Sequence, residues 1–153
     1  MTRDRSSQPI LGWREWLALP ELGVPRIKAK IDTGARTASL HAFGLELFQR
    51  DGADWVRFAI HPRQRDDRLE ILVEHPVHEF RLVRSSNGIQ SRRPVILTQV
   101  TLGRMAWRTE MTLADRDAMG FRMLLGRHSI RGHFLVDPGR SFLVPLPRKH
   151  HHG

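Results

Sequence analysis

Short runs of alternating apolar and polar residues, broken by a turn signal about every ten residues, limit what this chain can fold into. The clearest run puts Ile27, Ala29 and Ile31 on one face and Lys28 and Lys30 on the other, a period of two that suits a half-buried strand. Further strands are expected at Trp13–Leu19 (stopped by Pro20), Ser39–Ala42, Leu45–Phe48, Trp55–Ile60, Leu69–Val73, Phe80–Val83, Pro94–Leu102, Met105–Leu113 and Met123–Gly126. Turns are expected at Glu21–Pro25, Asp51-Gly52, Ser85–Gly88 and Gly103, and a polar loop at Pro62–Arg68. Phe134–Val136 and Phe142–Val144 flank Asp137-Pro138-Gly139 and read as a hairpin. Helix is confined to one turn at Asp115–Met119 and another at Arg127–Ile130. The fold class is therefore all-β with one or two short helices, a closed barrel or a sandwich.

A chain of 153 residues is the size of one domain. It has no cysteine, so disulfides and thiolate metal sites are excluded. No apolar stretch approaches the ~20 residues that cross a bilayer as a helix, and no apolar segment follows the charged N-terminus as in a secretory signal; a cytoplasmic protein with no membrane partner is expected. The 25 Lys and Arg against 16 Asp and Glu leave a net charge of +9, which favours an acidic partner. The segments 1–11 and 147–153 are expected to be flexible, the latter a basic, His-rich tail, and residues 12–146 to form the domain.

The sharpest chemical feature is Asp32-Thr33-Gly34 at the end of a strand. Two carboxylates held close together share one proton, because both cannot ionise, and such a dyad activates water. Glycine lets the backbone turn tightly beneath the acid, and the threonine hydroxyl is placed to lock one loop to its twin. Alone, the tripeptide is more often an ordinary turn than a catalytic one.

Context extends it. Ala29-Lys30-Ile31 leads in, Ala35 follows, and Leu124-Leu125-Gly126-Arg127 comes later. In this the sequence resembles the retropepsins, aspartic peptidases in which a hydrophobic strand enters Asp-Thr/Ser-Gly-Ala and a later strand threads behind the catalytic loop. The resemblance is closer to a bacterial branch often labelled ATP-dependent zinc proteases and associated with ATP-grasp ligases that add glutamates to a ribosomal protein. It runs through Ile27–Ala42, Ser86-Asn87-Gly88, Arg92–Ile96, Thr112–Met119 and Met123–Arg127, and covers Gly12 to Val144. It implies a closed acid-protease-like β-barrel forming a single retropepsin-type lobe, with Asp32 as the catalytic aspartate. Thr33, Gly34 and Ala35 complete the catalytic turn, and Leu125, Gly126 and Arg127 support it from behind. Arg127 matches an arginine that pairs, in retroviral relatives, with an acid just after the turn; here Arg36 and Thr37 stand in that place. The glycine-rich flap tip of those relatives is absent, and Asn87-Gly88 is the candidate turn over the cleft. Only one Asp-Thr-Gly occurs, so the dyad requires a homodimer.

Other constellations have simpler readings. No His-Glu-x-x-His is present, and Pro76 separates His75 from His78, so no metal or other cofactor is expected. No phosphate-binding glycine loop occurs, so any ATP dependence would belong to a partner. Ser39 and His41 lack a nucleophile elbow. Trp13, Trp16, Trp55 and Trp107 are read as core and interface anchors and not as nucleobase platforms; nucleic acid is set aside as a partner. The expected activity is hydrolysis of peptide bonds in an acidic peptide or protein. The alternative is a catalytically silent scaffold that grips an acidic protein or an ATP-grasp ligase.

Overall fold

The computed structural model describes residues 8–63, 68–84, 87–115 and 120–145. The strands are β1 (Ile10–Leu11), β2 (Arg14–Leu19), β3 (Val24–Asp32), β4 (Ala38–His41), β5 (Phe43–Arg50), β6 (Ala53–Ile60), β7 (Ile71–Pro76), β8 (Glu79–Arg84), β9 (Gln90–Leu102), β10 (Met105–Ala114), β11 (Met123–Gly126) and β12 (Leu135–Val136). A four-residue helix α1 (Arg127–Ile130) follows β11, and a 3-10 turn at Pro20–Leu22 joins β2 to β3.

Six strands close on themselves in the order β10-β4-β11-β3-β2-β9, with β9 pairing back to β10, and β8 extends the sheet beyond β9. This is the closed acid-protease-like barrel that the sequence leads one to expect. A separate sheet, β5-β6-β7, packs Val56, Phe58 and Val73 into the same core as Leu17, Ile27 and Leu113 of the barrel. Burying these side chains supplies the main driving force for closure.

Strand β3 follows its alternation closely: Ile27, Ala29 and Ile31 are buried, with Lys28 and Lys30 less so. It begins earlier than the sequence suggests, at Val24, because an extra residue is accommodated where the pairing shifts from Leu19↔Val24 to Leu17↔Ile27. Pro25 sits in that irregularity, where a missing backbone donor costs no ladder bond. Gly23 takes the left-handed conformation that the preceding turn requires, with φ 74°.

The expected hairpin at the C-terminal end is corrected. Asp137-Pro138-Gly139 does turn, with the Gly139 N–H donating to Asp137 Oδ1 at 3.0 Å. Leu135 and Val136, however, pair in parallel with Ile10 and Leu11, within the 1–11 stretch, and Leu11 is fully buried. Phe142–Val144 forms no strand; its amides donate to the Arg14 carbonyl and the Glu15 carboxylate. The Glu15 carboxylate takes the Leu143 and Val144 amides, which leaves neither for a hairpin partner. Residues 116–119, most of the expected helical turn, lie outside the described residues, as do 1–7, 64–67, 85–86 and 146–153. No helix among the described residues is long and apolar enough to cross a membrane.

Candidate active site

The turn bearing Asp32 owes its shape to a crossing. Strands β3 and β4 are consecutive in sequence but not adjacent, because β11 lies between them, parallel to β3 and antiparallel to β4. The Asp32–Thr37 connection must therefore pass over the end of β11. Gly126, opposite Asp32 in the β3–β11 register, allows it: a Cβ there would lie 2.4 Å from the Thr37 carbonyl oxygen and 2.5 Å from its carbon. Leu125, fully buried opposite Ile31, fills the space behind. The next two amides hold the crossing chain down, Arg127 N–H donating to the Ala35 carbonyl at 2.7 Å and His128 N–H to that of Arg36 at 3.0 Å. Ser129 of α1 is tied to Thr109 of β10 by a buried hydroxyl pair at 2.6 Å, which fixes the short helix to the barrel.

Within the turn, Asp32 Oδ1 accepts the Gly34 N–H at 3.0 Å and the Ala35 N–H at 3.2 Å. Among the described residues nothing donates to Oδ2. A Cβ at Gly34 would crowd Oδ1 at 3.3 Å, so glycine there gives the amide room to reach the carboxylate. Asp32 is half-buried, Thr33 and Gly34 exposed, and Ala35 half-buried. The Arg127 guanidinium reaches the Thr33 carbonyl at 3.4 Å through Nη1. Asp32, Thr33, Gly34, Ala35, Leu125, Gly126 and Arg127 thus form one structural unit.

Asn87 and Gly88 sit apart from that unit in sequence, at the tip of the β8–β9 hairpin, where Gly88 has φ 83° and the Ile89 N–H approaches Asn87 Oδ1 at 3.4 Å. Leu82 and Ile89 beside them are exposed.

Two cavities lie elsewhere. An apolar groove of about 850 Å³ is lined by Ala18, Pro25, Leu102, Met105, Phe134 and Val144 among others. Pro25 is seven residues up β3 from Asp32, roughly 23 Å at strand rise. A polar cavity of about 290 Å³ between Thr37, Arg108, Glu110 and His128 touches the back of the crossing chain. Neither cavity is lined by Asp32, Thr33 or Gly34. The Asp32–Ala35 turn lies at the surface, with Thr33 and Gly34 exposed.

His78, Glu79 and Glu110 bring ligand atoms within 4.8 Å of one another, a geometry open to a cation. Arg81 already bridges both carboxylates, reaching Glu110 at 2.7 Å and Glu79 as well, so the protein supplies the balancing charge itself. The hydrogen bond from Arg81 holds the Glu110 carboxyl below its ordinary range, against a smaller opposing effect of burial. His75 is not in this group; its Nδ1 lies 2.8 Å from the Pro76 carbonyl. His41 is buried, stacked on Phe43 at 4.0 Å. All four tryptophans are half-buried: Trp13 meets Phe121 edge-on, and Trp16 stacks with Phe142.

Glu15 was not singled out from the sequence. It is fully buried, and its two oxygens accept the amides of Gly12 at 2.7 Å, Leu143 at 2.8 Å and Val144 at 3.1 Å. A signal existed: Glu15 shares parity with Leu17 and Leu19 and so points inward.

A family model described as RimB-like, retropepsin-like aspartic endopeptidase RimB, matches residues 10–147. Similar curated proteins include one from Parasynechococcus marenigrum, 53% identical over 132 residues, which cover 86% of this chain and 28% of that protein. Another, from Desulfotalea psychrophila, is 45% identical over 138 residues, covering 90% of this chain and 30% of that one. Both are named probable alpha-L-glutamate ligase, and this chain spans less than a third of their length. A crystal structure of a Legionella pneumophila protein of unknown function matches with a TM-score of 0.72 and 28% identity, over 90% of this chain and 98% of that one.

Proposed function

This chain belongs to the RimB-like family of retropepsin-like aspartic endopeptidases, and from that premise we propose that it hydrolyses peptide bonds with water activated between two Asp32 carboxylates, one from each of two copies. The observation that carries this reading is the unequal use of the Asp32 oxygens. Oδ1 is fixed by two turn amides, while among the described residues Oδ2 receives no donor. A carboxylate oriented at one oxygen and open at the other is prepared to bind a proton, a water or a second carboxylate. The surface turn requires a second chain to make a groove, and a twofold arrangement brings like turns together.

In the dyad one proton is shared, so the pair carries a single negative charge. The ionised member takes a proton from water as the oxygen attacks the scissile carbonyl, and the protonated member donates to the carbonyl oxygen. Collapse of the tetrahedral intermediate breaks the C–N bond, the leaving nitrogen takes a proton, and the dyad returns to its singly protonated state.

An acidic, glutamate-rich peptide is the substrate class we favour. The net charge of +9 attracts it, and the similar curated proteins are named for glutamate ligation. Incubation with glutamate-rich peptides across pH 4 to 7, with Asp32→Asn as control, tests the reading. Cleavage by the dimeric wild type and none by the variant is expected; equal cleavage by a pure Asp32→Asn protein rejects the dyad, and a chain that cleaves while strictly monomeric rejects the dimer.

A second reading follows from coverage. A chain spanning under a third of proteins named as ligases is also what a module that binds or modulates a glutamate ligase looks like. Binding of an acidic peptide or a ligase without turnover, unchanged in Asp32→Asn, would favour it.

A further inference from the structure

Several arginines of this fold meet carboxylates, and among the described residues two that lie on or against the Asp32 turn do not. Arg57 and Arg81 each bridge two carboxylates, and Arg50, Arg93 and Arg108 each meet one. Arg36 and Arg127 differ. Arg36 is exposed and follows Ala35, whose amide holds Asp32; its backbone carbonyl is pinned by the His128 N–H at 3.0 Å. Arg127, also exposed, rests on the Thr33 carbonyl at 3.4 Å, a weak contact for a guanidinium. Among the described residues no carboxylate lies within ion-pair distance of either. Their backbones are fixed, so their charges stay near the turn while their side chains remain available.

Resting on the peptidase reading above, we propose that Arg36 and Arg127 form the carboxylate-binding subsites of this cleft, reading acidic side chains of the peptide that flank the scissile bond. Two copies contribute four guanidiniums around a dyad that carries one negative charge, so the groove as a whole is cationic. A guanidinium meets a carboxylate through two parallel hydrogen bonds, which gives geometric selection as well as attraction. An acid in the substrate would complete an ion pair that the fold itself leaves open. A neutral amide side chain of the same shape would not.

The test uses the full chain with two probes, a hexaglutamate peptide and its hexaglutamine counterpart, and reads KM and kcat separately. The expected result is preference for hexaglutamate, with Arg36→Gln raising KM on it by about tenfold or more while kcat holds. Arg127→Lys keeps the charge but loses the planar fork, and is expected to raise KM by a smaller factor. Arg104→Gln removes the same charge beside the distant apolar groove and is expected to change neither constant. Peptide affinity measured on Asp32→Asn protein separates this inference from the peptidase reading. If the wild type cleaves neither peptide but Asp32→Asn protein binds hexaglutamate selectively and Arg36→Gln abolishes that binding, the subsites stand and the catalysis does not. If both peptides are cleaved or bound equally, or Arg36→Gln behaves as Arg104→Gln does, the subsites are overturned whatever becomes of the activity.

Discussion

Asp32 and Glu15 are both carboxylates held by backbone amides, and they are held for opposite ends. Glu15 is fully buried and spends both oxygens on three amides drawn from Gly12, Leu143 and Val144. Asp32 is half-buried and spends one oxygen on two amides of its own turn. Each site also depends on a glycine where backbones nearly touch. A Cβ at Gly126 would lie 2.4 Å from the Thr37 oxygen, and one at Gly12 would lie 2.3 Å from the Arg140 oxygen. Full satisfaction makes a carboxylate a structural tie, here fastening both ends of the described chain to β2. Partial satisfaction, with rigid donors on one side only, leaves a group oriented with one oxygen open.

The strongest way to break this contrast is to remove each charge in turn. Asp32→Asn is expected to lower turnover by about a thousandfold or more, with dimerisation and melting temperature retained; substantial residual turnover in a pure sample, or collapse of the fold, would deny the division of roles. Glu15→Gln is expected to do the reverse. Its amide nitrogen cannot accept an N–H, so at least one of the three backbone donors is stranded, at a cost of about 3 kcal/mol. Denaturant unfolding would show this, while turnover per folded molecule stays near that of the wild type.

The glycines sharpen the comparison at smaller cost. Gly126→Ala and Gly12→Ala each force backbone apart, and each is expected to destabilise by about 2 kcal/mol. Only Gly126→Ala is expected to depress turnover further, because it moves the chain that carries Asp32. Matched losses of turnover in the two variants, assayed well below their melting temperatures, would mean that the crossing over β11 does not position the acid.

The same pair of sites explains what could be read from the sequence. The Asp32 turn was legible because its parts are local: the acid, Gly34 and Ala35 lie within four residues, and the strand entering them alternates cleanly through Ile27, Ala29 and Ile31. Gly126 was legible only through family resemblance, since nothing in its own neighbourhood tells that Thr37 passes over it. The Glu15 tie was missed because two of its three partners lie 128 and 129 residues away and donate from the main chain, which leaves no side-chain signature. For the same reason Phe134–Val136 and Phe142–Val144 read as a hairpin around a genuine turn. Their actual partners, β1 and β2, are at the other end of the chain. Strand identity follows from local alternation, whereas choice among distant partners depends on closure of the whole barrel.

A third carboxylate, Glu110, separates burial from fixed donors. It takes its main hydrogen bond from the Arg81 side chain at 2.7 Å, and 40% of its side chain is exposed. That bond holds its pKa below the ordinary 4.5. A carboxyl with a depressed folded value adds stability that is present above its unfolded value and lost as pH falls through the folded one. Solvent screening keeps the contribution small, about 0.5 kcal/mol. Glu110→Gln should therefore lower the melting temperature slightly at neutral pH, and the gap to wild type should close as pH drops well below 4.5. Thermal melts of both proteins between pH 3 and 7 measure this directly. A loss at neutral pH as large as that of Glu15→Gln would mean that a flexible guanidinium in solvent ties a carboxylate as firmly as three backbone amides. The contrast between Glu15 and Asp32 would then have to rest on something other than how fully, and how rigidly, each is held.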